Sequence, residues 1–518
     1  MKHRFLALII AFVASVQFLF AAGDTASKDW PAYRHDANRT AVSATPLPGK
    51  LHSQWTWQSP HAPIPAWPMP GEEQPRMHTD RAFHVSVVGE TAFFGSSADN
   101  KLRAIDTRTG AERWSFFAEG AIRFAPHVAN GKVYFGSDDG YAYCLNAADG
   151  KQVWRYQPNP ATERVIGNGR MISLWPLRTG LLVDKDIVYL AAGIFPYEGL
   201  YVCAIDANTG REIWKNDTAG DLSWELQYGG MAPQGYLLVS DNTLYVPSGR
   251  AMPAAFDRKT GKFQSFLSGG GKAGGTWALI DQGRLVAGDN NRGAPAKIVF
   301  DDKTKRSKGD IFASFPGIDM ALTTETAYTL TETAIVAINR KAYQAAAGEL
   351  PKIAAKRKTV TKQIADTRAA MKAASKKGED TKAATAKLSA LTKEISDLSK
   401  REKELAASRI KWKFAHSGLT TIALAGNTVI SGGKGVIQSI DATTGKSEWQ
   451  AKIEGQVIGT SVGDDRLFVS STTGAIYCFG SKPVGQPRIV NDVREGTGLE
   501  PAGYKQAAEE ILKQSGVT

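Results

Sequence analysis

Two long loops carry the side chains that are best placed to contact a ligand or a protein partner. Arg170 and Trp175 lie in the segment 167–176, and Trp224 lies in the segment 217–228. Both segments lengthen one repeat of the chain, and loops carry binding functions more often than the scaffold that holds them. The alternative is that the two aromatic side chains only bury their own loops. We predict these three residues as a candidate contact face.

No catalytic or metal-binding residue is predicted. The eight histidines are scattered and form neither an HxH nor an HExxH motif, so the sequence offers no zinc site. His78 and His84 are near each other, but we interpret them as surface or hydrogen-bonded residues. There is no GxSxG motif for a nucleophile. The glycines between residues 269 and 275 lack the GK[ST] ending of a phosphate loop and predict a turn.

The N-terminus has the pattern of a secretory signal. Lys2 and Arg4 precede an apolar run over residues 5–20, and the small residues Ala21, Ala22 and Gly23 follow. We expect a signal peptide over residues 1–23 and an exported protein, periplasmic or extracellular; the alternative is an uncleaved anchor. The first cysteine is Cys144, so no lipid-anchored cysteine is expected. Three cysteines cannot form a disulfide framework.

One segment recurs five times along the chain. Its copies are AIDTRTGAERW, CLNAADGKQVW, AIDANTGREIW, AFDRKTGKF and SIDATTGKSEW. Each copy has an Asp or Asn, a Gly four residues later and, in four copies, a Trp four residues after the Gly. The repeat residues are Asp106, Gly110, Trp114, Asn146, Gly150, Trp154, Asp206, Gly210, Trp214, Asp257, Gly261, Asp441, Gly445 and Trp449.

These residues predict a tight turn followed by an outer strand. The Asp side chain can accept bonds from backbone N–H groups two residues later, and the Gly permits the positive φ of a short hairpin loop. The Trp then occupies a fixed place on the outer strand and is suited to packing between neighbouring sheets. Alternating apolar runs precede most copies and indicate successive strands.

Four short strands per unit, at spacings of about 40 residues or more, predict an all-β fold, a β-propeller. At these residues the chain resembles the pyrroloquinoline-quinone-type (PQQ-like) propeller repeat, found in quinoprotein alcohol dehydrogenases and in the periplasmic propeller of the outer-membrane assembly machine. The resemblance covers residues 30–480 apart from one insertion. We count eight blades, with seven left open because residues 303–306 echo the turn only loosely. The segment 53–57 resembles a missing outer strand and predicts closure of the ring.

The resemblance bears on cofactors as well. A quinoprotein dehydrogenase would show adjacent cysteines beside the quinone and a Glu/Asn/Asp calcium set. This chain has no Cys-Cys pair, and the acidic ligands cannot be placed. We therefore predict no cofactor and keep PQQ with calcium as the alternative.

An insertion with helical character interrupts the sixth unit. Over residues 341–409 the apolar residues follow a heptad-like alternation, which predicts an antiparallel coiled-coil hairpin. Residues 341–411 contain 18 Lys and Arg against 8 Asp and Glu, so they hold most of the formal net charge of +12. A solvated helix face, a docking arm and contact with an anionic surface are the open interpretations. Nucleic acid is not an expected partner.

The predicted organisation is a signal peptide (1–23), a strap packed on the ring (24–52), the propeller (53–480), and a linker with a C-terminal helix (481–518). We expect an exported, non-catalytic scaffold that binds a protein partner or a ligand and uses the hairpin as a docking arm. The alternatives are a PQQ-dependent oxidoreductase and the binding half of a larger modular enzyme. No membrane span is expected after the signal is cleaved.

Overall fold

The computed structural model describes residues 28–67, 79–220, 231–249, 253–267, 276–288, 296–300 and 315–491, together with positions 509 and 513. The predicted signal peptide, His78, Trp224, the glycines between residues 269 and 275, residues 303–306 and all but two positions of the C-terminal helix lie outside these residues. Within the described residues, no helix combines the length and the apolar character needed to cross a membrane.

Strands dominate the chain, and their order is simple. The N-terminal segment contributes β1 (Val42–Ser43) and β2 (His52–Gln58), followed by a 3₁₀ turn at Thr79–Arg81. Sheet 1 contains β3 (Val85–Val88), β4 (Thr91–Gly95), β5 (Lys101–Asp106) and β6 (Glu112–Phe117). Sheet 2 contains β7 (His127–Ala129), β8 (Lys132–Gly136), β9 (Ala142–Asn146) and β10 (Gln152–Tyr156).

Three short strands lie between sheets 2 and 3. They are β11 (Arg164–Gly167), β12 (Arg170–Ser173) and β13 (Thr179–Gly180). Sheet 3 contains β14 (Leu182–Asp184), β15 (Ile187–Ala192), β16 (Tyr201–Asp206) and β17 (Glu212–Asn216), with a 3₁₀ turn at Pro196–Glu198. After β18 (Gly235–Tyr236), sheet 4 contains β19 (Leu238–Val239), β20 (Thr243–Val246), β21 (Ala254–Asp257) and β22 (Phe263–Phe266).

Two further four-stranded sheets follow. Sheet 5 contains β23 (Ala278–Asp281), β24 (Arg284–Ala287), β25 (Ala296–Phe300) and β26 (Phe315–Pro316). Sheet 6 contains β27 (Asp319–Leu322), β28 (Thr326–Leu330), β29 (Ala334–Asn339) and β30 (Ile410–Ala415). Helices α1 (Arg340–Lys376) and α2 (Lys382–Ser408) lie between β29 and β30, in the segment that the sequence predicts to be helical.

An eight-stranded closing sheet contains the last strands of the chain and two N-terminal ones. Its C-terminal members are β31 (Leu419–Ala425), β32 (Thr428–Asp441), β33 (Ser447–Gly463), β34 (Arg466–Ser471), β35 (Ala475–Gly480) and β36 (Arg488–Asn491). Strand β2 pairs antiparallel with β35, which confirms the predicted partner of the N-terminal strand. Strand β36 pairs in parallel with β2 and occupies residues predicted to be linker.

The sheets pack against one another in chain order, and the last one returns to the first. Val462 of the closing sheet shares one buried cluster with Val87 of sheet 1. The first strand of each sheet is almost wholly buried, whereas the fourth strand, such as β6, is largely exposed. The first strands therefore face the middle of a closed ring, and the fourth strands form its rim.

The strap crosses the middle of this ring. Its backbone carbonyl oxygens accept hydrogen bonds from first-strand N–H groups, for example from Val87 to Trp30 and from Val128 to Pro31, both at 2.8 Å. The same kind of bond comes from Ile280, Leu322 and Leu424. Arg34, His35, Arg39 and Ala41 hold positive φ angles of 55–78°. Non-glycine residues keep such angles only where the surroundings fix them, so the strap is held by the ring itself.

One loop prediction needs correction. The segment 167–176, interpreted as a loop, contains a hairpin in which β11 pairs with β12 in the register Ile166 to Met171. Asn168 and Gly169 form its turn with φ angles of 49° and 78°. Asn-Gly is the strongest short hairpin signal because both residues tolerate positive φ. The third sheet consequently begins after this hairpin, at Leu182.

Candidate ligand and partner surfaces

The repeat turns have the same local geometry in every copy. In the first, the Asp106 carboxylate accepts from the backbone N–H groups of Arg108 and Thr109 at 3.0 and 2.9 Å, and Gly110 has φ 71°. Burial raises the pKa of Asp106, but the hydrogen bonds from Arg113 and Thr109 outweigh it and lower the pKa to about 2. The Asp106 carboxylate therefore uses its hydrogen bonds to stabilise its own turn. Asp206, Asp257 and Asp441 make equivalent bonds.

Trp114, Trp154 and Trp214 each dock on the turn of the next sheet. The Trp114 indole N–H donates to the Ala147 carbonyl oxygen at 3.0 Å, and a Cβ added at Gly150 would lie 2.5 Å from the Trp114 ring. Trp154 meets Ala207 and Gly210 in the same way, and Trp214 meets Arg258 and Gly261. The recurring residues therefore join neighbouring sheets and are not available as a ligand site.

Two tryptophans outside the predicted set complete this arrangement. Trp55 donates to the Thr107 carbonyl oxygen at 2.9 Å, and Trp412 donates to the Ala442 carbonyl oxygen at 2.8 Å. Trp449 does not dock on a turn in this way. The two strands that such a turn would connect in the next unit are β35 and β2, which come from opposite ends of the chain, so no continuous turn links them. Trp449 packs edge-on against Phe479 at a centroid distance of 5.1 Å.

The middle of the ring is filled by the strap. The Arg34 guanidinium forms a buried ion pair with Asp319, with Nη1 2.6 Å from Oδ1. The same oxygen accepts from the Trp277 indole at 2.9 Å, and Oδ2 accepts from the Ile422 backbone at 3.2 Å. Arg39 is 1% exposed and reaches the Leu237 carbonyl oxygen. Its burial lowers its pKa to about 10.

A second buried ion-pair network lies between sheets 2 and 3. The Asp138 carboxylate accepts from Arg123 Nε at 2.7 Å and from Arg178 Nε at 3.0 Å. Burial raises the pKa of Asp138, but these two guanidinium groups outweigh it and hold the pKa below its usual value. Arg123 also donates to the Ile64 carbonyl oxygen, and Trp67 donates to Gln234 at 2.8 Å. Residues 64–67 thereby cover part of the ring opening.

A cavity of about 280 Å³ remains beside these segments. It is lined by the strap residues Tyr33 and Arg34 and by residues at the starts of first strands, among them Trp277, Asp319 and Thr421. Among the described residues that line it, the one carboxylate is Asp319, which is paired with Arg34. The described lining of the cavity is therefore mixed, with aromatic, hydroxyl and apolar groups beside the polar side chains of Arg34, Arg81 and Gln456.

The described residues do not fit a calcium-bound quinone. Both oxygens of Asp319 have partners in the strap and in the first strands. Within the described ranges, no three His, Cys, Asp or Glu side chains cluster closely enough to hold a metal ion. A cation beside Asp319 would have to displace Arg34, and Arg34 would then lie buried without its partner.

The three predicted contact residues have different surroundings. Arg170 donates to the Asn100 side chain at 3.0 Å and to the Ala98 carbonyl oxygen at 2.7 Å, so it ties the β11–β12 hairpin to sheet 1. Trp175 is 8% exposed, and its indole N–H donates to the Glu198 carbonyl oxygen. Trp175 therefore buries its own loop, as the alternative interpretation states. Trp224 lies outside the described residues.

Four exposed apolar side chains, not predicted from the sequence, lie on the hairpin that carries Arg170 and in the loop that Trp175 contacts. Ile166 and Met171 face each other across the β11–β12 hairpin and are 79% and 56% exposed. Tyr197 and Phe195, in the loop between β15 and β16, are also exposed, and Phe195 packs edge-on against Trp67. We name Ile166, Met171, Phe195 and Tyr197 the apolar patch. The sequence signal was the Asn-Gly hairpin with apolar residues on both arms.

His84 lies at the inner edge of sheet 1. Its Nε2 is 2.6 Å from the Thr79 carbonyl oxygen, and its ring packs edge-on against Tyr33. Burial lowers the pKa of His84 to about 4. The interpretation of His84 as a hydrogen-bonded residue agrees with these contacts.

Comparison with known proteins identifies the repeat. Residues 54–214 and 393–482 match the family model described as outer membrane protein assembly factor BamB. The chain is 32% identical over 150 residues to outer membrane protein assembly factor BamB of Marinobacter adhaerens, which covers 28% of this chain and 33% of that protein. It is 25% identical over 244 residues to the dehydrogenase subunit of a quinone alcohol dehydrogenase from Gluconobacter oxydans. This match covers 41% of this chain and 30% of that protein.

The chain thus spans about a third of the length of these curated relatives. Among solved structures, quinohemoprotein alcohol dehydrogenase from Comamonas testosteroni superposes with a TM-score of 0.55 and 15% identity, over 95% of this chain and 86% of that chain. At this identity the likeness establishes the β-propeller fold and leaves function to the site.

Proposed function

Because this chain is built from pyrroloquinoline-quinone-type propeller repeats, we propose that it is an exported, non-catalytic propeller scaffold that binds a protein partner or a ligand. The observation that carries the proposal is the buried Arg34–Asp319 ion pair, which places the chain's own strap where a cofactor would need a free carboxylate. The relatives include an assembly factor and a dehydrogenase. The Arg34–Asp319 ion pair favours a scaffold role, as in an assembly factor, over a dehydrogenase role.

We count eight blades in the proposed ring. Sheets 1 to 6 supply six, and the closing sheet supplies two, the second completed by β2. A complete ring leaves few open strand edges, which suits a rigid platform. The two helices α1 and α2 project from the sixth blade and form its docking arm.

The apolar patch is the proposed partner face. Ile166 and Tyr197 are 79% and 84% exposed. That the four side chains form one contact surface is part of this proposal, since grouped exposed apolar side chains mark interaction sites. Arg170 and Trp175 hold the hairpin and its neighbouring loop in place. In this proposal they shape the face and do not supply its contact energy.

The cofactor question is tested by titration. Calorimetry of the mature chain with pyrroloquinoline quinone, with and without calcium, should show no tight binding, and a dye-linked assay should show no alcohol oxidation. An apo quinoprotein dehydrogenase treated in parallel is the positive control. Tight binding with turnover would overturn the scaffold proposal.

Partner binding is tested by affinity capture from envelope extracts of the source organism. We expect the double variant Ile166→Ser and Met171→Ser to lose a partner that the unaltered chain retains. Ile489→Ser is the matched control, because Ile489 is 72% exposed on β36, away from the patch. Equal loss in both variants, or in neither, contradicts the patch as the partner face.

A PQQ-dependent oxidoreductase is the second candidate. The cavity of about 280 Å³ beside Trp277 favours it, because pockets with an aromatic wall bind planar ligands. The titration above decides between the two, since the dehydrogenase requires the quinone and the scaffold does not.

A further inference from the structure

Ion pairs are distributed unevenly along the helices α1 and α2. Near the ring, Lys356 Nζ lies 2.8 Å from Glu394, and Arg401 pairs with Glu349 through two bonds of 2.8 and 3.0 Å. Arg357 also pairs with Glu402 across the two helices. The hydrogen bonds from Arg401 lower the pKa of Glu349. In the part of the hairpin next to the ring, ion pairs between side chains of opposite charge therefore join the two helices.

The outer part of the hairpin has a different composition. Residues 358–393, which we name the distal half, contain nine lysines and arginines against three carboxylates. The cations are Lys358, Lys362, Arg368, Lys372, Lys376, Lys377, Lys382, Lys387 and Lys393, and all nine are exposed. The structure describes the whole of both helices, and within the distal half no ion pair joins these cations to a carboxylate.

The apolar residues of the distal half point inward. Val360 is 2% exposed and Leu391 is 8% exposed, and the outer surface is mostly Lys, Ala, Ser and Thr, with the carboxylates of Asp366, Glu379 and Asp380 also exposed. No large hydrophobic side chain is exposed within either helix. Specific protein interfaces are usually centred on buried aromatic, aliphatic or Arg anchors, and the exposed surface of the distal half offers one such side chain, Arg368. This surface cannot insert into a bilayer.

The type of cation narrows the class of partner further. Eight of the nine cations are lysines. Arg provides the planar fork that recognises an individual carboxylate or phosphate with two bonds, whereas Lys is a mobile point charge. Lysines spread over both helices suit an extended anionic surface. Clusters of Lys next to a membrane are attracted by anionic lipid headgroups.

We propose that the distal half docks on the surface of a bilayer containing anionic lipids and holds the propeller close to that surface. The arm is long enough for this, because the 27 residues of α2 span about 40 Å. The inference rests on the proposed scaffold function, for which the hairpin is the docking arm. The attraction acts only within about 10 Å of the surface at moderate salt, so the arm must lie along the headgroups.

The test is co-sedimentation of the full mature chain with lipid vesicles. Vesicles of phosphatidylcholine alone are compared with vesicles that also contain phosphatidylglycerol, at low salt and at about 0.5 M salt. We expect binding only to the anionic vesicles and its loss at high salt. The variant K372Q/K376Q/K377Q/K382Q/K387Q should bind at least about tenfold more weakly.

A matched control removes the same charge from the ring. The variant K151Q/K185Q/K259Q/K446Q/K452Q neutralises five exposed lysines outside the hairpin and should bind anionic vesicles as the unaltered chain does. Equal weakening in both five-lysine variants would show a general charge effect and overturn the proposal. Absence of vesicle binding by the unaltered chain would also overturn it, including the case in which the arm binds an acidic protein or a soluble polyanion.

Failure of this inference is distinguishable from failure of the scaffold proposal. Partner capture through the apolar patch and titration with quinone do not involve the distal half. Both are measured on the distal five-lysine variant and should match the unaltered chain. Circular dichroism of each variant establishes that the helices remain folded.

Discussion

Arg34 and Asp319 are 285 residues apart in the sequence and form a buried ion pair of 2.6 Å in the middle of the ring. Each is 8% exposed at its side chain. Arg34 comes from the strap and Asp319 from the first strand of sheet 6. The pair therefore joins the N-terminal segment to the ring and closes one side of the cavity.

Removal of Arg34 should be strongly destabilising. Arg34→Ala leaves the Asp319 carboxylate buried without its cation, and such changes cost about 3–5 kcal/mol of the free energy of unfolding. Lys28→Ala breaks an exposed ion pair with Asp465 and should cost at most about 1 kcal/mol. Urea denaturation of the two variants measures the difference. Equal costs would show that the buried pair does not hold the strap.

The repeat glycines should be sensitive for two separable reasons. Gly210 and Gly131 both have φ 71°, so Ala at either position costs roughly 1–2 kcal/mol of backbone strain. A Cβ at Gly210 would also lie 2.8 Å from the Trp154 ring, whereas a Cβ at Gly131 meets nothing within 4 Å. We expect Gly210→Ala to cost about 1–3 kcal/mol more than Gly131→Ala because of this overlap. Thermal and urea denaturation of both variants check the order, and a reversed order would contradict the packing argument.

The tryptophans of the repeat should not be equivalent. Trp114→Phe removes a hydrogen bond to the Ala147 carbonyl oxygen and should cost about 1 kcal/mol beyond the loss of ring area. Trp449→Phe should cost less, because Trp449 contacts Phe479 in place of a continuous turn. Both tryptophans are half-buried, so their burial is comparable. Equal destabilisation in urea would contradict a role for the indole N–H.

Stability should depend on pH through His84. Its folded pKa is lowered to about 4 by burial, whereas an unfolded His titrates near pH 6.5. The unfolded chain then binds the proton more readily, so the free energy of unfolding falls as the pH drops from about 6.5 to about 4. The contribution is on the order of 3 kcal/mol.

The variant His84→Gln isolates this contribution. Gln cannot titrate, so the variant should lose less stability between pH 7 and pH 4 than the unaltered chain does. His61→Gln is the control for the same substitution at an exposed position. Denaturation midpoints across this pH range measure both variants. Parallel curves for His84→Gln and the unaltered chain would contradict a buried neutral His84.

Several features of the fold followed from local sequence alone. The Asp-x-x-x-Gly turns depend on bonds within five residues and on the positive φ of glycine, so the pattern at Asp106 to Gly110 predicts its own geometry. The pairing of β2 with β35 was predictable because residues 53–57 resemble the one outer strand that the repeat lacks. The helical segment followed from its apolar period. The PQQ-type repeat identified from these turns is confirmed by the family match.

Tertiary structure decided which side chains are buried and which are exposed. Trp175 looks like a contact residue in sequence, but its indole N–H donates to the Glu198 carbonyl oxygen and its ring is buried. The partner of Arg34 could not be predicted from local sequence, because Asp319 is brought near only when the strap crosses the assembled ring. The exposure of Ile166 and Tyr197 likewise depends on which neighbouring sheets cover them. The sequence determined the repeating unit because the bonds of that unit are local. The strap that crosses the middle of the ring and the exposure of the apolar patch depend on contacts between distant segments.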